Sequence, residues 1–213
     1  MPEWLTRFWP DFFAGLLINF RVAAFALFLG LLLGAPLGVA EYRRQLAELP
    51  AKWLLAVLAC VPTFAALFFL INVIPSNISL GGWKIAMTPE SALVIALALY
   101  ATGLASEHAV EALRQTRMGS PVALWEFFLN LARVYFSLVL ASGFGAAIGV
   151  AEAVNVTRRA MDALPTLSDK FMMIGVVIGV FTLLFQTLYK IEQRLRNNTR
   201  QSYPPVSRRI DPL

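Results

Sequence analysis

The chain has 213 residues, 58% of them hydrophobic and only 15% charged, with a mean hydropathy of +0.66. Ordinary soluble domains run at ~45–50% apolar and ~25% charged, so this composition argues against a soluble enzyme, a disordered chain and a disulfide scaffold, and Cys60 alone can form no internal disulfide. The net charge of +5 and pI of 9.7 do not point to nucleic acid, because the positive residues flank apolar runs as they do in polytopic membrane proteins.

A hydrocarbon core of ~30 Å needs ~20 apolar residues in helical form. Five runs meet or approach that length: Phe12–Val39, Trp53–Ile74, Ser91–Ser106, Leu124–Val150 and Phe171–Tyr189. The expected architecture is therefore all-α, one polytopic membrane domain over 12–197, with a short segment 1–11 before it and a polar tail 198–213 after it. The first run is too long for a signal-peptide core and lacks a basic start, so it reads as an uncleaved span. Trp4, Phe8 and Trp9 suit an interfacial aromatic anchor. The tail, with Pro204-Pro205 and Pro212, is expected to be loosely ordered. Its basic residues either enforce topology or touch anionic lipid.

Orientation follows from Lys and Arg. One side collects eleven: Arg43, Arg44 and Lys52, then Arg114 and Arg117, then six in the tail. The other collects five: Arg7, Lys84, Arg158, Arg159 and Lys170. This places the N terminus outside and the C terminus in the cytoplasm, with the three positives between the fourth and fifth spans running against the rule.

Polar groups inside spans each need a reason. Arg21, near Asn19, either snorkels to the interface or pairs with another helix. Gly30, Gly34 and Gly38 are spaced four apart and make a face that another helix can approach closely, within the chain or from a second subunit. Pro62 in the second run predicts a kink. Thr102 and Ser106 share a face of the third, which is either a polar surface on a pathway or a pair of side chains bonded back to their own helix. The stretch Glu111–Glu126 is short, amphipathic and mixed in charge, broken at Gly119-Ser-Pro121. It is either a docking element for another protein or a connector. Asn130, Arg133 and Ser137 share a face of the fourth run, and an arginine so placed needs water, an acid or carbonyls. His108 is the only histidine, and no cluster at ligand spacing suggests a metal. There is no phosphate loop, no HExxH and no GxSxG in the sequence, so no catalytic residue or cofactor is expected.

Pro62-Thr-Phe-Ala-Ala-Leu67-Phe68-Phe69-Leu70 with Pro75, Gly15-Leu-Leu through Gly30–Gly34, Ala98-Leu99-Tyr100 with Glu107, and Ala147-Ile148-Gly149-Val150-Ala151-Glu152 follow one another in a familiar order. The sequence resembles the permease subunit of bacterial type-I ABC importers of the polar amino acid family, over roughly residues 12–197. The usual arginine-glycine-threonine before Pro62 is replaced by Ala59-Cys60-Val61, and a usual glutamine by Ala66. The ATPase-coupling loop admits two registers, one using Glu111-Ala112-Leu113 with Gly119, the other leaving Val122-Ala123-Leu124 for the box. The resemblance implies a multi-pass protein of the bacterial inner membrane, forming a pathway with an identical or different second permease. It also implies a cytoplasmic ABC ATPase and a periplasmic solute-binding protein as partners. On that basis Thr102, Ser106, Asn130 and Arg133 are expected on the pathway, and Glu111, Arg117, Gly119 and Ala123 at the ATPase. The rival is a non-transporting scaffold that has lost ATPase coupling.

Overall fold

The computed structural model describes residues 3–43, 62–73, 77–80 and 83–202. In chain order these form α1 (Glu3–Tyr42), α2 (Thr63–Val73), β1 (Asn77–Leu80), β2 (Trp83–Ala86), α3 (Pro89–Arg117), α4 (Ala123–Ala141), a 3-10 segment (Ser142–Ile148), α5 (Ala153–Asp162) and α6 (Leu167–Ser202). Among the described residues the architecture is helical apart from one antiparallel strand pair, β1–β2, which the all-helical expectation did not include. Four helical stretches among the described residues are long and apolar enough to cross a membrane: Trp4–Tyr42, Pro89–Arg117, Ala123–Ile148 and Leu167–Thr199. Of the expected second span, 53–61 and 74 lie outside the described residues, and 63–73 form the shorter apolar helix α2.

The helices outrun the apolar windows that announce them. At ~1.5 Å per residue, the 40 residues of α1 reach ~60 Å, about twice a hydrocarbon core. The third run does not stop at Glu107-His108 but continues to Arg117, and the fifth runs through Asn198 to Ser202. The fourth is shorter than expected as an α-helix: it tightens into the 3-10 segment at Ser142, where Gly143 and Gly145 weaken helix preference. Pro62 precedes α2, and its carbonyl accepts from Ala66 N–H at 3.0 Å, so it opens the helix; a kink upstream would fall outside the described residues.

Both ends of α3 are specified locally. Thr88 and Ser91 form a reciprocal cap: Ser91 N–H donates to Thr88 Oγ1 at 3.1 Å and Thr88 N–H donates to Ser91 Oγ at 2.8 Å, with Pro89 opening the helix. At the other end, Gly119 takes φ +78, a left-handed conformation that glycine adopts without penalty and that ends the helix.

The centre of the fold is the pair α1 and α3. Gly30 faces Ala101, Gly34 faces Thr102 and Ala105, and Gly38 faces Ser106 and Ala109. A Cβ at Gly30 would stand 2.5 Å from that of Ala101, so only glycine permits this approach. At the other end, Arg21 meets Glu90 at 2.7 Å. Higher numbers on α1 therefore meet higher numbers on α3, and the two helices run parallel. α4 runs back between them and the rest, with Tyr135 Oη donating to the Phe20 carbonyl at 3.1 Å. α6 descends beside it, from Phe181 against Phe12 to Arg196 against Asn130. Val22, Ala26, Leu67, Leu93, Leu97 and Leu138 form the buried core between these helices.

Candidate functional site

Two polar clusters tie the helices together, one at each end of the bundle, the first buried and the second partly exposed. At the α1 N-terminal end the centre is Glu152, fully buried. Its carboxylate caps α5, accepting from Val154 N–H at 2.8 Å and Asn155 N–H at 2.9 Å. Asn19 reaches across from α1. Its amide donates to Glu152 Oε2 at 3.1 Å and to Ser142 Oγ at 2.7 Å, and its carbonyl accepts from Ala153 N–H at 3.0 Å. One side chain thus joins α1, the 3-10 segment and α5. Burial pushes the Glu152 carboxyl up from its ordinary value, against the hydrogen bonds from Val154, Asn19 and Asn155 that pull it down.

At the opposite end, α4 and α6 share an ion network. Arg133 donates to Glu192 Oε2 at 3.0 Å, and Arg196 donates to Glu192 Oε1 at 2.9 Å. Arg196 also donates to Asn130 Oδ1 at 3.1 Å and lies 3.6 Å from Glu126. Residues 126, 130 and 133 recur at helical spacing on α4, and 192 and 196 on α6, so each helix presents its polar groups on one face. Beside the network, Arg133, Ser137, Leu140, Phe185, Tyr189 and Glu192 line an open groove of about 370 Å³. An acid therefore answers Arg133, one of the three partners that such an arginine requires.

The four residues expected on a pathway fall in two places. Asn130 and Arg133 belong to the α4–α6 network. Thr102 and Ser106 are both buried against the glycine face of α1. Thr102 Oγ1 donates to its own helix at Ala98 O, 2.8 Å away, and Ser106 Oγ has no hydrogen-bond partner among the described residues.

Two solved structures share the fold. "Crystal structure of an amino acid ABC transporter with histidines" superposes with a TM-score of 0.65 at 15% identity, covering 89% of this chain and 96% of the other. "Inward facing conformations of the MetNI methionine ABC transporter" gives a TM-score of 0.58 at 17% identity, covering 92% and 99%. No protein-family model matches the sequence, and no curated protein sequence matches it. The chain has an ABC importer permease-like fold.

On that fold the expected coupling residues occupy one corner. Glu111 and Arg117 lie on the last turns of α3, Gly119 in the turn, and Ala123 opens α4. The stretch 111–126 is not a separate amphipathic element: α3 carries it to Arg117 and α4 resumes it at Ala123, so only residues 118–122 connect the two helices. Arg117 and Gly119 are exposed there.

Sequence reasoning missed Glu192 and Arg196 as network members, counting Arg196 only toward topology. Their spacing of four, opposite Glu126, Asn130 and Arg133, carried the signal. Glu152 and Asn155 gave a weaker one, since a glutamate followed by a short helix also reads as an ordinary cap.

Proposed function

We propose that this chain is one half of the membrane-spanning unit of an ATP-driven importer for a polar amino acid or a similar small solute. It sits in the bacterial inner membrane with five crossings, N-out and C-in. It pairs with a second permease subunit, identical or different, and works with a cytoplasmic ABC ATPase and a periplasmic solute-binding protein. The observation that carries this reading is the fold, whose likeness to the two importer structures extends over 89% and 92% of the chain.

The parallel pairing of α1 and α3 supports the count of crossings. If both span the bilayer in the same direction, the chain between residues 43 and 89 must return across it, and α2 lies on that return. The excess of eleven Lys and Arg over five supports the orientation. Nucleotide hydrolysis belongs to the ATPase subunit in this scheme, and the permease supplies the path and the coupling surface.

Within it, Asn130 and Arg133 line the path beside the α4–α6 groove, held by Glu192 and Arg196. Thr102 and Ser106 support it from behind by keeping α3 closed on α1. Glu111, Arg117, Gly119 and Ala123 face the ATPase.

The test is reconstitution with a cognate ABC ATPase and a periplasmic solute-binding protein. ATP-dependent uptake into proteoliposomes, together with cross-linking of Arg117→Cys or Gly119→Cys to the nucleotide-binding subunit, is expected. Cross-linking with no uptake under any solute would support a scaffold instead. No capture of the ATPase from either position would remove the coupling assignment. Unchanged uptake in Arg133→Leu would remove Arg133 from the path.

A further inference from the structure

The end of the bundle that carries the α1 N terminus holds a groove of about 600 Å³ between α1, α5 and the start of α6. Its apolar wall includes Phe8, Leu164 and Met173, all buried, and the half-buried Trp4. Arg7 and Arg159 also line it, together with Asp11. Neither guanidinium has an ion pair or hydrogen bond among the described residues. The neighbouring Arg158 is different: it donates to Asn155 Oδ1 at 3.0 Å and pairs with Asp162 at 3.4 Å. Two arginines and one carboxylate among the lining residues leave a single net positive charge beside the apolar wall.

We propose that this groove seats the head group of an anionic phosphodiester lipid, with the phosphate on Arg7 and Arg159 and the glycerol and first acyl carbons on Phe8, Leu164 and Met173. Both guanidiniums are exposed and unpaired among the described residues, and the planar fork of each matches phosphate oxygens. A phosphodiester brings one negative charge, which neutralises the one left over. Trp4, whose indole suits a membrane interface, lines the same groove. The site also accounts for cations on the end that the positive-inside tendency would leave poor in them. It rests on the chain being in a membrane and is independent of whether the chain transports anything.

The chain in nanodiscs of mixed phosphatidylglycerol, phosphatidylethanolamine and phosphatidylcholine, released into native mass spectrometry, reads the site directly. Phosphatidylglycerol is expected to stay bound in preference to the other two. Arg7→Gln with Arg159→Gln should weaken retention by about tenfold, whereas Arg158→Gln with Lys170→Gln, which removes as much charge from the same end, should leave it unchanged. Equal loss in both double variants, or equal retention of phosphatidylethanolamine, would overturn the proposal. So would displacement of the lipid by soluble glycerol phosphate, which would indicate a free-phosphate site. Cross-linking of the unmodified chain by phosphatidylglycerol with a photoreactive acyl chain needs no variant to fold. Label on peptides holding Phe8, Leu164 or Met173 supports the site, and label confined to other peptides refutes it.

Discussion

Glu192 of α6 holds Arg133 of α4 at 3.0 Å, yet the two side chains are not equally buried: the glutamate is 4% exposed and the arginine 47%. The acid is the fixed member, and it also holds Arg196, whose side chain is 15% exposed. Removing the acid strands Arg133 and leaves the more buried Arg196 with only Glu126 at 3.6 Å and Asn130 at 3.1 Å, whereas removing Arg133 leaves the acid paired to Arg196. Thermal unfolding in detergent should therefore show Glu192→Ala destabilised by about 3 kcal/mol, and Arg133→Ala by about 1 kcal/mol or less, since a half-exposed pair is screened. Equal losses would mean that the network is not centred on Glu192.

Asn19 joins α1 to both Ser142 and Glu152. Asn19→Leu removes its three hydrogen bonds and faces a buried carboxylate with an apolar group. A loss of about 2–3 kcal/mol is expected, from desolvated partners left unmet. The measurement is the unfolding midpoint, with Asn19→Asp as a second variant that brings a carboxylate against Glu152 and should destabilise further.

Glu152 gives this end of the bundle a pH dependence. Burial raises its carboxyl above the ordinary value, so the folded state holds the proton more tightly than the unfolded chain does. The stability it contributes is fully present below the ordinary carboxylate value and is lost as pH rises through the raised one. Unfolding midpoints measured across the mildly acidic range should fall with rising pH, and Glu152→Gln should flatten that slope.

Gly34 stands against the Thr102 carbonyl, with Ala105 Cβ 2.9 Å from where its own Cβ would be. Neither neighbour is the end of a flexible side chain, so α1 and α3 must part to admit anything larger. Gly34→Val should cost about 3 kcal/mol or more, at or above the usual range for overpacking, seen as loss of folded protein on size-exclusion chromatography. Gly175→Val on α6, where a Cβ meets nothing within 4 Å, should be tolerated by the isolated chain.

The parts of this fold that repeat along one helix were legible in the sequence. Gly30, Gly34 and Gly38 announce a close helix contact by spacing alone, and the structure supplies α3 as the partner. Asn130 and Arg133 announce a polar face. What spacing cannot supply is the partner across the bundle: Glu192 lies 59 residues from Arg133, and Glu152 lies 133 from Asn19. Helix ends were misjudged for a different reason. Hydropathy marks where a helix leaves lipid, whereas α3 and α6 keep their backbone hydrogen bonds for several turns beyond that point. The Thr88–Ser91 cap and the left-handed Gly119 mark the true ends of α3, and both are side-chain or backbone signals that a hydropathy window averages away.

The parallel run of α1 and α3, with the return crossing proposed between them, is the relationship on which the transport reading depends. Single cysteines at Leu5, Arg43, Arg117, Asp162 and Arg194, in a Cys60→Ser background, test it by labelling intact cells with a membrane-impermeant maleimide. The positions at Leu5 and Asp162 should label from outside. Those at Arg43, Arg117 and Arg194 should label only after the cells are permeabilised. Arg43 and Arg117 on opposite sides, or Leu5 and Arg194 on the same side, would contradict the account.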